Sequence, residues 1–171
     1  MIEPTLERRS LLFAPMLVAL PQLLMVPAQA SPLDPAETMI TPPGQIDWKT
    51  RPTWPKDSVA QANLAGDLNQ PGFYYLLIKW YPGYMSAPHH YVTDRLCVVV
   101  SGTWWCNSGP DFDPARCVPV PAGSFVRRVA NTPHYDGVVA SGSEPAVIAI
   151  CGDGPVKLTY IDPDQPGWRK V

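Results

Sequence analysis

The chain has 171 residues, a formal net charge of −2, 22 prolines and 12 glycines. That length suits one domain, and the thin, dispersed lysines and arginines exclude the electrostatic footprint of a nucleic-acid binder. So many turn-forming residues argue for short strands joined by tight turns rather than long helices, and the expected partner is a small-molecule ligand.

Residues 1–30 read as a secretory signal peptide. Arg8 and Arg9 precede a mostly apolar run from Leu11 to Val26, and Ala28-Gln29-Ala30 offers a small-x-small cleavage site. The run is short for a spanning helix and is interrupted by Pro15, Pro21 and Gln22, so no stable membrane anchor is expected after cleavage. The order Arg8-Arg9-Ser10-Leu11-Leu12 also resembles a twin-arginine signal; an ordinary signal, which needs a basic start as well, is the alternative. Either route predicts a periplasmic or extracellular protein.

Residues 31–55 follow as a Pro-rich N-terminal arm, with Pro32, Pro35, Pro42, Pro43, Pro52 and Pro55. Proline at this density removes backbone donors and blocks helix, which predicts an extended segment laid over the fold, with a strand near Ile46 to Lys49. By fold habit, such an arm often closes a homodimer.

From residue 56 onwards the pattern is all-β. Phe73 to Tyr81 is a continuous aromatic and aliphatic run, long enough for a central strand with both faces covered, and Pro82-Gly83 turns it. Arg95 to Val100 alternates, with Arg95, Cys97 and Val99 on one face and Leu96, Val98 and Val100 on the other. Ser101-Gly102 turns the chain into Thr103 to Cys106, where Trp104 and Trp105 point opposite ways, one to the core and one to the rim. Asn107 to Arg116 is an exposed loop rich in Asp, Pro and Gly. Segments 124–129, 135–140, 146–151 and 156–161 supply further strands, and Gly152-Asp153-Gly154-Pro155 reads as a turn.

The four cysteines suit an oxidising compartment. Cys106 and Cys117 flank the 107–116 loop, where a hairpin can bring their Cα atoms to disulfide distance, about 5.5 Å. A bridge between them is expected, with Cys97 and Cys151 as the remaining pair.

Two of the three histidines, His89 and His90, are adjacent, and His134 follows in VANTPHYDG. The spacing Gly83-x5-His89-x-Tyr91-x3-Arg95-x6-Gly102 resembles the first signature of the cupin superfamily, G-x5-H-x-H-x3-E-x6-G, with two ligand positions altered. Gly123, Val129, Asn131 and His134 are similar to the second signature, with its proline and second glycine replaced. The resemblance runs from about Ile46 to Asp162, and SGTWW, PAGSFV and KLTYIDP are similar to small secreted cupins. It implies a single-domain cupin jelly-roll β-barrel over residues 56–171.

The resemblance also implies a site. Carried over, the family's metal positions fall on His89, Tyr91, Arg95 and His134. Imidazole ligates zinc, iron and copper, so a mononuclear divalent metal ion (iron, manganese or zinc) is expected, with no organic cofactor. Tyr91 would act as a phenolate ligand or a base, whereas Arg95 cannot ligate a cation and would hold a substrate carboxylate or pair with Asp94. His90 would join the ligands only if a bulge turned it inward. The family includes dioxygenases, isomerases, decarboxylases and lyases, and fold alone does not choose among them. The alternative is a non-catalytic small-molecule-binding or sensor cupin that has lost its metal.

Overall fold

The computed structural model describes residues 38–171. The calls on residues 1–30 and on the start of the arm therefore lie outside the described residues. Among those described, no helix is long and apolar enough to cross a membrane.

Twelve strands carry the fold: β1 (Val59–Ala65), β2 (Gly72–Trp80), β3 (Tyr84–Ser86), β4 (His89–Tyr91), β5 (Arg95–Ser101), β6 (Thr103–Ser108), β7 (Val118–Pro121), β8 (Phe125–Arg128), β9 (His134–Val138), β10 (Ala146–Gly154), β11 (Leu158–Tyr160) and β12 (Trp168–Lys170). They form two antiparallel sheets. One has the order β1-β2-β10-β5-β8; the other runs β11-β4-β9-β3-β12, with β6 joining β9 and β7 outside it. Neighbours that are distant in sequence, such as β2 with β10 and β4 with β11, give the crossing connections of a jelly roll.

The alternation expected of β5 is present: Arg95, Cys97 and Val99 are buried, while Leu96, Val98 and Val100 are 43%, 43% and 54% exposed. On β2 the unbroken apolar run has a reason on each face. Tyr74, Leu76 and Trp80 enter the main core, and Leu77 belongs to a second cluster with Ala62 and Ala149, covered by Ile46 and Trp48 of the arm. The arm departs from the expected strand. Pro43–Gln45 forms a 3-10 turn, and the ladder contact of Ile46 to Lys49 among the described residues is a single bridge from Lys49 to Gln61.

Two further expectations are corrected. The 107–116 loop is not wholly exposed: β6 continues to Ser108, and Phe112 packs on Tyr135 at a centroid distance of 5.0 Å. All four cysteines are free thiols. Cys106 lies opposite Val118, so its side chain enters the main core, while Cys117, one residue earlier, packs with Met85 and Tyr135 in a separate cluster. Cys151 lies opposite Leu96 and Cys97 opposite Ile150, which sends the two thiols to opposite faces of their sheet. A side-chain period of two defeats both pairings.

Two backbone positions bring the signatures together. Asn131, where the family pattern has glycine, keeps a positive φ of 58°, which asparagine tolerates better than most residues, and its N–H donates to the Tyr91 carbonyl at 2.7 Å. Gly137 on β9 lies so close to β3 that a Cβ there would meet Met85 Cα at 2.6 Å.

Candidate functional site

The site is built from the register of β4 on β9. These strands share one cross-strand pair, His89 with His134, so both side chains face the same way. Their ring centroids lie 4.5 Å apart. Tyr91, two residues after His89, shares that face, with its ring 5.1 Å from His89 and 5.8 Å from His134. All three border a cavity of about 350 Å³ between the two sheets.

Each imidazole is held by the backbone two residues before it. His89 Nδ1 is 2.7 Å from the Ala87 carbonyl oxygen and His134 Nδ1 is 2.9 Å from that of Thr132. A carbonyl oxygen only accepts, so Nδ1–H is the donor and Nε2 keeps its lone pair in the neutral ring. Burial lowers the pKa of both rings, and for His134 the neighbouring His89 and Arg128 lower it further. Two neutral imidazoles therefore present free nitrogens to one cavity.

The facing sheet supplies two guanidinium groups. Arg95 on β5 lies directly opposite Arg128 on β8, and both are buried. Arg128 donates to Asp136 Oδ2 at 3.2 Å, and Trp104 Nε1–H donates to Asp136 Oδ1 at 3.1 Å. Arg95 has no carboxylate partner among the described residues: its Nε–H donates to the Tyr74 hydroxyl at 3.1 Å, and its guanidinium lies 4.2 Å from the Tyr91 ring centroid. Among the described residues its two terminal nitrogens take no acceptor, and the residue borders the cavity. The expected alternative, Arg95 paired with Asp94, is not what forms. Asp94 sits on the outside, accepting from Arg127 Nε–H at 2.8 Å and from Ala130 N–H at 2.8 Å, because adjacent strand residues face opposite ways.

Other candidates are redistributed. His90 points away from His89, since β4 pairs with β11 in unbroken register and no bulge turns it. It does not border the cavity and cannot join the other two histidines. Burial raises the Tyr91 pKa, opposed in part by Arg95, so without a bound cation the phenol is protonated at neutral pH. Burial likewise pushes the Cys97 thiol up to about 11, which removes it as a nucleophile. Arg128 and Asp136 were missed. Asp136 was within reach of sequence reasoning, because it stands two residues after His134 and must share its face; the pairing of Arg128 with Arg95 needs the β5–β8 register.

Do these residues fit a metal ion? The two oriented, neutral imidazoles do: metal–nitrogen bonds of about 2.0–2.1 Å are compatible with rings at the observed separation. Among the described residues no third His, Cys, Asp or Glu completes a protein-only set. The Tyr91 oxygen and ligands from solution would have to fill the remaining positions.

The two-sheet architecture matches solved structures. A cupin 2 conserved barrel domain protein from Rhodopseudomonas palustris aligns at 16% identity over 72% of this chain and 85% of its own, with a TM-score of 0.55. The fold is that of the cupins. The polyketide cyclase RemF from Streptomyces resistomycificus aligns with this chain at 15% identity, covering 71% and 84% of the two chains with a TM-score of 0.54. The DMSP lyase DddQ from Ruegeria pomeroyi shares 11% identity over 70% of this chain and 63% of its own, with a TM-score of 0.55. Enzymes thus occur among the similar folds. No protein-family model and no curated protein matches the sequence.

Proposed function

We propose that this cupin binds one divalent metal ion through His89 and His134 and acts on a small carboxylated molecule held by Arg95. The carrying observation is the pair of imidazoles fixed at Nδ1 by backbone carbonyls, with Nε2 free, across a cavity from a guanidinium whose terminal fork takes no acceptor among the described residues. A metal bound there would supply Lewis acidity towards a substrate oxygen. Arg95 receives the carboxylate bidentately, and its planar fork sets the orientation of the substrate. Tyr91, protonated and stacked beneath Arg95, donates its O–H to a substrate oxygen that gains negative charge. Asp136 balances Arg128, which keeps the second guanidinium from competing for the same carboxylate.

A cation beside Arg95 is repelled, so metal and anionic ligand should bind cooperatively: each supplies the charge that the other site needs. We also propose export to the periplasm or the exterior, on the strength of residues 1–30. Metal quantification on the purified protein tests the central reading. About one iron, manganese or zinc per chain, lost in His89→Ala and His134→Ala and kept in Arg95→Ala, supports it, whereas a metal-free protein that takes up none of the three on dialysis ends it.

The second reading, a non-catalytic anion-binding cupin, is favoured by one observation, the missing third His, Cys, Asp or Glu beside the histidine pair. It predicts carboxylate binding with no dependence on metal.

A further inference from the structure

The proposed site says nothing of the body of the ligand, and the far part of the same cavity is specific about it. Antiparallel register orders the lining of the five-stranded sheet into levels. Tyr74 on β2 lies opposite Gly152 on β10, which lies opposite Arg95, which lies opposite Arg128. Six residues further along β2, Trp80 lies opposite Ala146. Between them Leu76 pairs with Ile150, and Ile78 with Ile148. One end of the cavity is therefore ionic and the other mainly apolar, with Gln61 opposite Ile78 and Arg51 at its exposed edge. The apolar end is aromatic as well: Trp168 meets Trp54 at 5.4 Å and Trp80 at 5.3 Å between ring centroids.

The charge balance is equally specific. Among the described residues that line the cavity, Arg51, Arg95, Arg128 and Asp136 carry formal charge. Arg51 is exposed and lies over the Trp54 ring, while Arg128 and Asp136 neutralise each other. That leaves Arg95 as the buried guanidinium without a carboxylate. A second carboxylate on the ligand would lie mostly against leucine, isoleucine and tryptophan, where a charge is disfavoured, with only the solvent-exposed Arg51 as a cation at that end. The volume, about 350 Å³, is at the small end of ligand pockets and holds roughly twelve groups the size of a water molecule at about 30 Å³ each.

Resting on the reading of this cavity as the ligand site, we infer that the ligand is a monocarboxylate with an apolar aryl or alkyl body, its carboxylate on Arg95 and its body against Trp54, Trp80 and Trp168. Dicarboxylates and sugar acids are disfavoured, the first because the further unpaired cation at that end, Arg51, is exposed to solvent, the second because that wall offers few polar partners, Gln61 and Arg51 among them.

Isothermal titration of the purified wild-type protein with phenylacetate, hexanoate, succinate and glucuronate tests this, with metal content measured on the same sample. Phenylacetate or hexanoate should bind at least ten-fold more tightly than succinate or glucuronate. Arg95→Leu should abolish binding of all four. Trp54→Ala, at the half-buried edge of the wall, should weaken phenylacetate at least five-fold and leave acetate unchanged, while Trp54→Phe should restore it. A preference for succinate or glucuronate, no binding of any of the four, or a Trp54→Ala protein that keeps wild-type circular dichroism and full phenylacetate affinity overturns the inference. The metal measurement separates it from the wider reading: apolar carboxylates bound by a metal-free protein sink the metal and keep the ligand class, and a metal-loaded protein that prefers succinate does the reverse.

Discussion

Removing Asp136 should damage this protein more than removing the arginine it pairs with. The carboxylate and Arg128 are 3.2 Å apart with 11% and 9% of their side chains exposed. At an effective dielectric near 20 that separation is worth about 5 kcal/mol of attraction, and desolvation of the two ions offsets much of it. Breaking such a pair costs about 3–5 kcal/mol, because the survivor stays buried without compensation. Asp136→Ala leaves Arg128 opposite Arg95 with no counter-charge between them and also removes the acceptor of Trp104 Nε1–H. The loss should therefore fall at the top of the range, about 4–5 kcal/mol. Arg128→Ala should cost about 3 kcal/mol, since Asp136 keeps the Trp104 donor. The double replacement Arg128→Met with Asp136→Leu removes both charges and should lose less than Asp136→Ala alone. Urea unfolding at pH 7, read as the midpoint at constant slope, measures all three. If Asp136→Ala stays within 1 kcal/mol of wild type, or the double variant is worse than both singles, the pair does not balance the cavity as argued.

Three further outcomes follow from the same geometry. Gly137→Ala would set a Cβ against Met85 Cα and the Tyr84 carbonyl oxygen, and should destabilise by about 2–3 kcal/mol in urea unfolding; a change under 0.5 kcal/mol would mean that β3 and β9 are not so close. Acid should weaken the metal-free protein. His89 and His134 have folded pKa values below their ordinary value, so the unfolded chain binds more protons and stability is present above about pH 6.5 and lost as pH falls towards the folded values. The slope approaches about 2.7 kcal/mol per pH unit when both rings titrate. His89→Gln with His134→Gln should flatten the unfolding midpoint between pH 7 and pH 5, and an unchanged slope would show that these rings are not buried neutral. Alkylation in denaturant without reductant should modify four cysteines per chain, and recovery of a bridged Cys106 peptide would contradict the observed register.

Period-two alternation was legible wherever the strands were long. It put Arg95, Cys97 and Val99 inside and Leu96, Val98 and Val100 outside. The short strands were not legible. β3, β4, β7 and β12 have three or four residues each, too few to show a period, and they form because longer neighbours offer them a ladder. The disulfide expectation failed for a related reason. Separation along the chain brought Cys106 near Cys117, but a one-residue offset in register decides which face a thiol takes.

Determined by the sequence alone, then, were an all-β chain, the motif spacing that sets two histidines and a tyrosine within one cavity, and the replacement of a ligand position by an arginine that cannot ligate. Those are local facts, carried by residue type and by the alternation of a single strand. Tertiary structure decided the rest: that His89 and His134 are direct cross-strand partners, that Arg95 stands against Arg128 instead of Asp94, and that a tryptophan wall lies at the opposite end from the charge. Each of these depends on the register between strands distant in sequence, a long-range pairing fixed by the burial of whole faces and carried by no single segment.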